Sequence, residues 1–187
     1  MKHDNSCHVY GVRFILSKFR ICHEEEQPVK EIEVRVVRLE PMRVASAHAF
    51  SATPENDARE KLITWAKRKG LLDDPVKYRV FGFDNPSPSP GSPNYGYEFW
   101  ITVVKDVQAE GEIKIKEFSG GLYAVTRCEV RSEADAYEVI PGTWKQLEVW
   151  REKTGHKAGS HQWLEEHIGT FKSSNAFTLD LYRPIAE

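Results

Sequence analysis

The chain repeats part of itself, and this internal repeat limits the folds open to it more than any other feature. Three segments recur in the same order, at offsets of 79, 85 and 82 residues: LEPMRVASAH with FSGGLYAVTR, LITWAKRKG with LEVWREKTG, and YEFWI with LDLYR. Three matches at nearly one offset predict a single supersecondary unit present twice. Two such copies usually pack about a pseudo-two-fold axis, and the junction between them is a natural place for a cleft.

The first copy carries the local pattern of a β-α-β-β unit. EIEVRVVRLE and RVASAHAF alternate apolar and polar residues, which predicts either two strands or one bent strand. A helix is expected to begin at Thr53 as N-cap, with Pro54 at its first position. Leu62 and Trp65 recur at helical spacing as a buried stripe, and Gly70 ends the helix after a basic last turn. YRVFGF and YEFWITVVKDV predict the remaining strands, separated by the proline-rich loop DNPSPSPGSPN.

The second copy repeats this order of elements. EIKIKEF and LYAVTRCEV alternate as strands on either side of a glycine turn. A helix then carries Trp144, Leu147 and Trp150 and is expected to end near Gly155. SHQWLEEHI, with Ser160 as N-cap, predicts a shorter helical segment, and FTLDLYRPI predicts a closing strand. The whole pattern indicates an α+β fold of duplicated β-α-β-β units with two main helices.

The predicted domain begins after a charged N-terminal stretch. Residues 1–28 end in HEEEQP, a polar break typical of a linker, and they are too few for an independent helix-turn-helix domain. We therefore predict an N-terminal appendage over residues 1–28 and one domain over residues 29–187. Its first repeat covers about residues 30–107 and its second about residues 112–187.

Composition argues against several classes of protein. The net charge is −2 and no basic stripe is visible, so direct nucleic-acid binding is not expected, because phosphate contacts require clustered Lys and Arg. No apolar run approaches the ~20 residues of a membrane span. Cys7, Cys22 and Cys128 are odd in number and widely spaced, which predicts a reducing, cytoplasmic location. HQWLEEH departs from the H-E-x-x-H zinc spacing, and neither a metal site nor a cofactor is expected.

Five segments resemble the GyrI-like family, also called the effector-binding domains of multidrug-responsive transcription activators. They are VRVVRLEPMRVASAHAF, GFDNP, EFSGGLYAV, HQWLEEHI and LDLYRPI, and the resemblance extends over about residues 30–185. It implies a curved antiparallel sheet with two helices and a pocket between the repeats for a small molecule, often a cationic or polyaromatic compound. The sequence departs from the family at the long proline-rich loop and at His167, where the family has an aromatic residue.

The resemblance implies that Glu165, in HQWLEEHI, is the acidic ligand-binding residue of the pocket. If Glu165 is buried among Trp163, Trp144 and Tyr123, desolvation raises its pKa unless a cation lies beside it. A carboxyl group with a raised pKa can also act as a general acid or base. The alternative is that Glu165 and Glu166 form an ordinary solvated pair on a short helix.

Strand alternation suggests further ligand contacts without reference to the family. In YEFWITV, Glu98 and Trp100 share one face, and in TLDLYR the same spacing joins Asp180 and Tyr182. An acid beside an aromatic ring suits a flat cation through charge attraction and a cation–π contact. His48, on the strand face it shares with Phe50, is a further candidate. The alternatives are a solvated sheet face for these pairs and a core or rim position for His48.

Three functions remain open at this point. The first is a stand-alone receptor for an amphipathic or cationic polyaromatic small molecule. The second is a hydrolase that detoxifies polycyclic, cyclopropane-bearing compounds, with Glu165 as its only catalytic candidate. The third is an inhibitory partner of another protein such as DNA gyrase. The sequence predicts a small-molecule partner and leaves the oligomeric state undetermined.

Overall fold

Eight strands and two helices make up the part of the chain that the computed structural model describes, residues 32–171 and 176–187. In chain order the elements are β1 (Val34–Leu39), β2 (Met42–Ser51), α1 (Pro54–Arg68), β3 (Val80–Asp84), β4 (Tyr95–Thr102), β5 (Lys114–Phe118), β6 (Gly121–Val130), α2 (Glu133–Lys153), β7 (Leu164–Ile168) and β8 (Phe177–Pro184). The predicted appendage over residues 1–28 lies outside the described residues. Neither of the two described helices combines the length and apolar character of a membrane span.

The elements form two β-α-β-β units, and the predicted fold class is confirmed. The first unit is β2-α1-β3-β4 and the second is β6-α2-β7-β8, each preceded by one short strand. β2 and β6 are equivalent at the offset of 79 residues, and they bury the same positions apart from the last residue. β4 and β8 are equivalent at the offset of 82 residues. The repeat in the sequence is therefore a repeat in the structure.

The two units share one antiparallel sheet, because the short strand that precedes each unit pairs with the other unit. The strand order is β1-β6-β8-β7-β3-β4-β2-β5. β1, from the first half of the chain, pairs with β6 at the edge of the second unit. β5, from the second half, pairs with β2 at the edge of the first unit. Each unit thus completes the sheet of the other, which ties the two repeats into one body.

Short connections between distant strands make this sheet curl. Leu39 ends β1 at one edge of the sheet, and Met42 begins β2 next to the opposite edge. Phe118 of β5 and Gly121 of β6 are joined in the same way. Two intervening residues span only about 10 Å, so the edges approach one another and the sheet becomes a half-barrel. Its concave face closes over a core that contains Leu39, Val44, Phe81, Phe83, Trp100, Phe118, Tyr123, Val125, Leu164 and Tyr182.

Both helices pack on the convex face. α1 lies on β2 and β4, where Leu62 and Trp65 are buried against Phe99 and Ile101. α2 lies on β6 and β8, where Leu147 is fully buried. The helix starts follow the sequence: Pro54 occupies the first turn of α1, and Ser132 caps α2 by accepting a hydrogen bond from the Asp135 backbone N–H.

The prediction of a short helix in SHQWLEEHI is wrong. Leu164–Ile168 forms strand β7, which pairs with β8 on one side and with β3 on the other. Helix-favouring residues such as Leu and Glu are overridden here because a central strand gains two ladders of backbone hydrogen bonds. As a result, Glu165 and Glu166 lie on opposite faces of the sheet and do not form a solvated pair.

Candidate functional site

The junction between the repeats is the antiparallel pair β3 and β7 at the centre of the sheet. These strands are equivalent in the two units, so the pseudo-two-fold axis passes between them, where Gly82 pairs with Glu165. α1 packs mainly on β2 and β4, and α2 on β6 and β8. The convex face of β3 and β7 therefore lies between the two helices, and Glu165 lies on that face.

Two side chains hold the Glu165 carboxylate. The Tyr97 hydroxyl donates to Oε2 at 2.8 Å, and the Trp144 indole N–H donates to Oε1 at 3.1 Å. The Trp163 ring packs against the Trp144 ring with centroids 5.1 Å apart and is 41% exposed. We call Gly82, Tyr97, Trp144, Trp163 and Glu165 the Glu165 site. Three residues predicted from the sequence (Glu165, Trp144 and Trp163) come together in it.

Gly82 is a residue of this site that the sequence analysis missed. A Cβ atom at position 82 would overlap the Tyr97 hydroxyl and come within 2.9 Å of the Phe99 ring. Tyr97 reaches Glu165 by crossing directly over Gly82, which only a residue without a side chain permits. An isolated glycine inside the strand pattern YRVFGF is the sequence feature that could have revealed this close approach.

The surroundings of Glu165 favour its neutral form. Burial raises its pKa, and the hydrogen bonds from Tyr97 and Trp144 offset part of that effect. The negative charges of Asp84 and Glu55 raise the pKa further. Within the described part of the chain, no Lys or Arg forms an ion pair with Glu165. The site is thus a hydrogen-bonded carboxyl group between aromatic rings, in a negative local field.

Trp163 is fixed from its other side. The Arg183 guanidinium lies 4.0 Å from the centroid of the Trp163 ring, and Arg183 in turn pairs with Glu148 of α2 at 2.7 Å. Hydrogen bonds from Arg151 and Arg183 lower the pKa of Glu148 to about 2. This ion-pair group orients the exposed tryptophan ring at the edge of the Glu165 site.

His167 replaces the family's aromatic residue and behaves as one. Its ring packs against Phe99, Phe171 and Phe177, with centroids 5.6, 4.9 and 5.7 Å away. Burial lowers its pKa to about 3, and the positive charge of Arg59 acts in the same direction. His167 is therefore neutral at physiological pH and forms part of an apolar ring cluster beside Glu165.

Glu98 and Trp100 lie on the opposite, concave face and do not share a site with Glu165. Glu98 is 1% exposed. Its carboxylate accepts hydrogen bonds from Ser46, Asn85, Trp100 and Lys116. These bonds outweigh the effect of burial and leave its pKa below the usual value. Glu98 is therefore a buried carboxylate whose partners all come from the protein.

The remaining candidates also lie on the concave face. Asp180 pairs with Arg35 and Arg127 at 2.8 and 2.9 Å. The Tyr182 hydroxyl donates to Glu166 at 2.5 Å. The structure places the other two candidates as follows: the Tyr123 hydroxyl donates to the Gln162 carbonyl at 2.8 Å, and His48 is exposed with its ring 2.7 Å from the Asn85 carbonyl.

Two surface depressions lie away from Glu165. One, of about 730 Å³, separates α1 from residues 110–113, where Lys61 pairs with Glu112. The other, of about 630 Å³, lies beside the glycine turn at residues 119–121. The first is lined by Phe50 and Trp65, but Glu60, its carboxyl group without a partner in the described part of the chain, is exposed to solvent, whereas Glu165 is partly buried and hydrogen-bonded. Among the described residues, no group of His, Cys, Asp and Glu is arranged to hold a metal ion.

Comparison with known proteins places the fold. The cryo-EM structure of an EcmrR–DNA complex is 14% identical at a TM-score of 0.63, and the match covers 88% of this chain. It covers only 61% of the EcmrR chain, so this chain spans about three fifths of that protein. The isolated EcmrR C-terminal domain is 14% identical at a TM-score of 0.59, with 83% of this chain and 98% of that chain covered.

A hydrolase from Listeria innocua is 9% identical at a TM-score of 0.58, and the match covers 83% of this chain and 93% of that one. At these identities the likenesses show a shared fold. No curated protein matches the chain. Residues 35–185 match the family described as Cass2, integron-associated effector binding protein. Since this match spans most of the sequence, the chain belongs to the Cass2 family of effector-binding proteins, whose fold is GyrI-like and whose general function is to bind small molecules.

Proposed function

We propose that this protein binds an aromatic cation at the Glu165 site, with Glu165 as its counter-ion. The observation that carries the proposal is the Glu165 carboxyl group, held by Tyr97 and Trp144 between the two helices with a raised pKa. A cation placed beside this group would stabilise its charged form and so recover the free energy that burial costs.

The aromatic side chains favour a flat ligand over a simple ion. Trp144 and Trp163 form a tilted pair of rings on one side of Glu165. A ligand ring that packs against them gains apolar contact, and its positive charge gains a cation–π term of about 0.5–2 kcal/mol. Tyr97 and Trp144 each occupy one acceptor site of the Glu165 carboxylate, so lone pairs remain for a ligand cation beside the Trp144 ring.

Charge dependence is the sharpest test of this proposal. N-methylacridinium and neutral acridine have nearly the same shape, and at pH 8 they differ in charge. We expect the wild-type protein to bind the cation at least about tenfold more tightly in calorimetry, because only the cation pairs with the carboxylate. Glu165→Gln should remove this preference and leave acridine binding nearly unchanged.

Glu129→Gln is a matched control, since Glu129 is exposed on the concave side of β6 and its substitution removes the same unit of charge. It should leave both affinities unaltered. Equal affinity of the wild-type protein for the two compounds would contradict a role for Glu165 as counter-ion. Loss of the preference in Glu129→Gln as well would assign the effect to net charge.

A hydrolase is the second candidate, and the same carboxyl group is the observation that favours it. A partly buried Glu165 with a raised pKa, bonded to Tyr97, is suited to general acid or base catalysis on a bound polycyclic substrate. Mass spectrometry of the protein incubated with a cyclopropane-bearing polycycle would detect a water-added product. Product formation that disappears in Glu165→Gln, while the polycycle still binds, would identify an enzyme.

A further inference from the structure

Asp84 lies beside Glu165 on the same face of the sheet. Gly82 pairs with Glu165, and Asp84 follows Gly82 by two residues on β3, so both point toward the helices. The position diagonal to a paired residue in an antiparallel sheet is about 7–8 Å away between Cα atoms. Asp84 and Glu165 are diagonal neighbours of this kind, and the charge of Asp84 acts on Glu165.

The neighbours of Asp84 are aromatic. Asp84 is the register partner of Tyr97 on the neighbouring strand β4. Continuing the β3–β7 register by two residues places Asp84 opposite Trp163, the residue before β7 and the exposed ring of the Glu165 site. Asp84 is thus at the solvent end of the site, beside the same tryptophan that borders Glu165.

Asp84 has no positively charged partner in the described ranges 32–171 and 176–187. No hydrogen bond or ion pair joins its carboxylate to another described side chain, and it is exposed. Desolvation and the charge of Glu55 raise its pKa to about 6, so it is ionised above neutral pH. The carboxylates of the concave face differ in this respect, because Glu98 and Asp180 are each paired with a cation.

The opposite end of the same face is positive. Arg59 of α1 lies 5.9 Å from the Phe99 ring centroid and 6.0 Å from that of Phe171. Its Nε is buried without a hydrogen-bond partner. The convex face between the helices is therefore polarised along the strands, with Arg59 near the His167 cluster, Glu165 in the middle and Asp84 at the open end. A ligand with an uneven charge distribution has one favoured direction in such a field.

We propose that Asp84 is a second anionic anchor of the Glu165 site, which selects aromatic ligands carrying two positive groups. One positive group pairs with Glu165 next to Trp144, and the other pairs with Asp84 at the solvent end beside Trp163. This inference rests on the proposed binding of aromatic cations and narrows it to a class of dications. The two strand positions are diagonal neighbours about 7–8 Å apart, which suits two charges joined by a short linker.

Ethidium and propidium test this inference because they share one phenanthridinium ring system. Propidium carries an additional quaternary ammonium group on a propyl linker. We expect the wild-type protein to bind propidium about two- to fivefold more tightly than ethidium at pH 8 and fixed ionic strength, as one further exposed ion pair would give. Asp84→Asn should reduce the ratio of the ethidium and propidium dissociation constants to near one. Glu165→Gln should weaken the binding of both dyes.

Asp106→Asn is the control, because Asp106 is exposed in the turn after β4 and its substitution changes the net charge equally. It should keep the preference for propidium. Thermal melts of each variant establish that the fold is retained, and Asp84 is exposed, so Asn is expected to fit without repacking. Calorimetric titration with each dye separately then gives the two dissociation constants and their ratio.

The outcomes separate this inference from the proposed function. Equal affinity of the wild-type protein for both dyes, or a preference that survives Asp84→Asn, overturns the role of Asp84 and leaves cation binding at Glu165 intact. A preference lost equally in Asp106→Asn also overturns it, since long-range charge would then be the cause. Absence of binding by either dye overturns the proposed function and this inference together.

Discussion

Gly82 of β3 and Glu165 of β7 are paired residues on the two central strands. Because Gly82 has no side chain, there is room above it for the Tyr97 side chain that hydrogen-bonds to Glu165. Tyr97 crosses over Gly82 to donate to Glu165 at 2.8 Å. The pair lies at the junction of the two repeats, where equivalent strands meet antiparallel. Duplication of the unit places the two strands there, but the glycine and the glutamate break the symmetry and give the junction the hydrogen-bonded carboxyl group of the Glu165 site.

Gly82→Ala should damage both stability and binding. The added methyl group overlaps Tyr97 and Phe99 in a packed region, which typically costs about 1–3 kcal/mol. For a protein of this size each kcal/mol corresponds to roughly 2–4 °C of melting temperature. We also expect weaker binding of N-methylacridinium, because Tyr97 can no longer reach Glu165.

Gly142→Ala is the matched control for this substitution. Gly142 lies inside α2, and a Cβ atom there would meet nothing within 4 Å. Alanine should therefore stabilise the helix by about 0.5–1 kcal/mol. If Gly82→Ala melts at the wild-type temperature and binds the dye equally well, the close approach of Tyr97 does not constrain position 82.

Local sequence patterns were sufficient to predict the duplicated fold but not the sheet face on which Glu165 lies with its partners. Alternation in YEFWITV correctly places Tyr97 and Phe99 under a helix. It also groups Glu98 with Trp100, but it does not show that their face closes into a core. That closure comes from two-residue connections between strands at opposite edges, a long-range property of the sheet.

Two further features depend on contacts that no local pattern contains. β7 is a strand because it fills the gap between β3 and β8, although LEEHI contains good helix formers. Likewise, β1 pairs with β6 and β5 pairs with β2, and nothing within these strand sequences specifies the partner. Glu165 was found through a family resemblance, and its partner Tyr97 could be identified only once the fold had brought β4 near β7.

Glu165→Gln and Glu98→Gln should shift the melting temperature of the unliganded protein in opposite directions. The pKa of Glu165 is raised, so removing its charge should stabilise the fold at pH 7.5 by roughly 1 kcal/mol, or about 2–4 °C. The pKa of Glu98 is lowered, and Gln in its place would leave Lys116 without its ion pair. Because the Lys116 side chain is 38% exposed, losing this half-buried pair should cost less than a fully buried one, on the order of 1–3 kcal/mol.

Calorimetric melts of the two variants without added ligand measure this contrast. Glutamine preserves the shape of glutamate in both, so differences in packing are small. A fall in melting temperature for both variants would show that Glu165, like Glu98, is compensated by the protein itself. The charged form of Glu165 would then be stabilised without a ligand cation, which would contradict the proposed role of Glu165 as a counter-ion.

His167→Phe should make the protein more resistant to acid. A histidine whose pKa falls from 6.5 to about 3 on folding contributes stability that is complete above pH 6.5 and declines as the pH falls toward 3. Between pH 7.5 and pH 5 the wild-type protein should lose about 2 kcal/mol through this residue. Phenylalanine keeps the ring packing on Phe99, Phe171 and Phe177 and does not take up a proton.

Urea unfolding of both proteins at pH 7.5 and at pH 5 isolates this effect. Other groups, including Glu165 and Asp84, titrate in both proteins and cancel in the comparison. The unfolding free energy of the variant minus that of the wild type should be larger at pH 5 than at pH 7.5 by about 2 kcal/mol. An unchanged difference would mean that His167 accepts a proton within the folded protein.

Trp144 and Trp163 are the tryptophans whose fluorescence should respond to a bound ligand. The chain has five tryptophans, of which Trp144 and Trp163 border Glu165 while Trp100 lies on the concave face beside Glu98. Binding of N-methylacridinium should quench the emission of the two tryptophans of the Glu165 site, because the dye lies in contact with them. Trp163→Phe should remove much of this quenching, whereas Trp100→Phe should retain it. Quenching that depends instead on Trp100 would move the binding site to the concave face, and Glu98 would then replace Glu165 as the counter-ion.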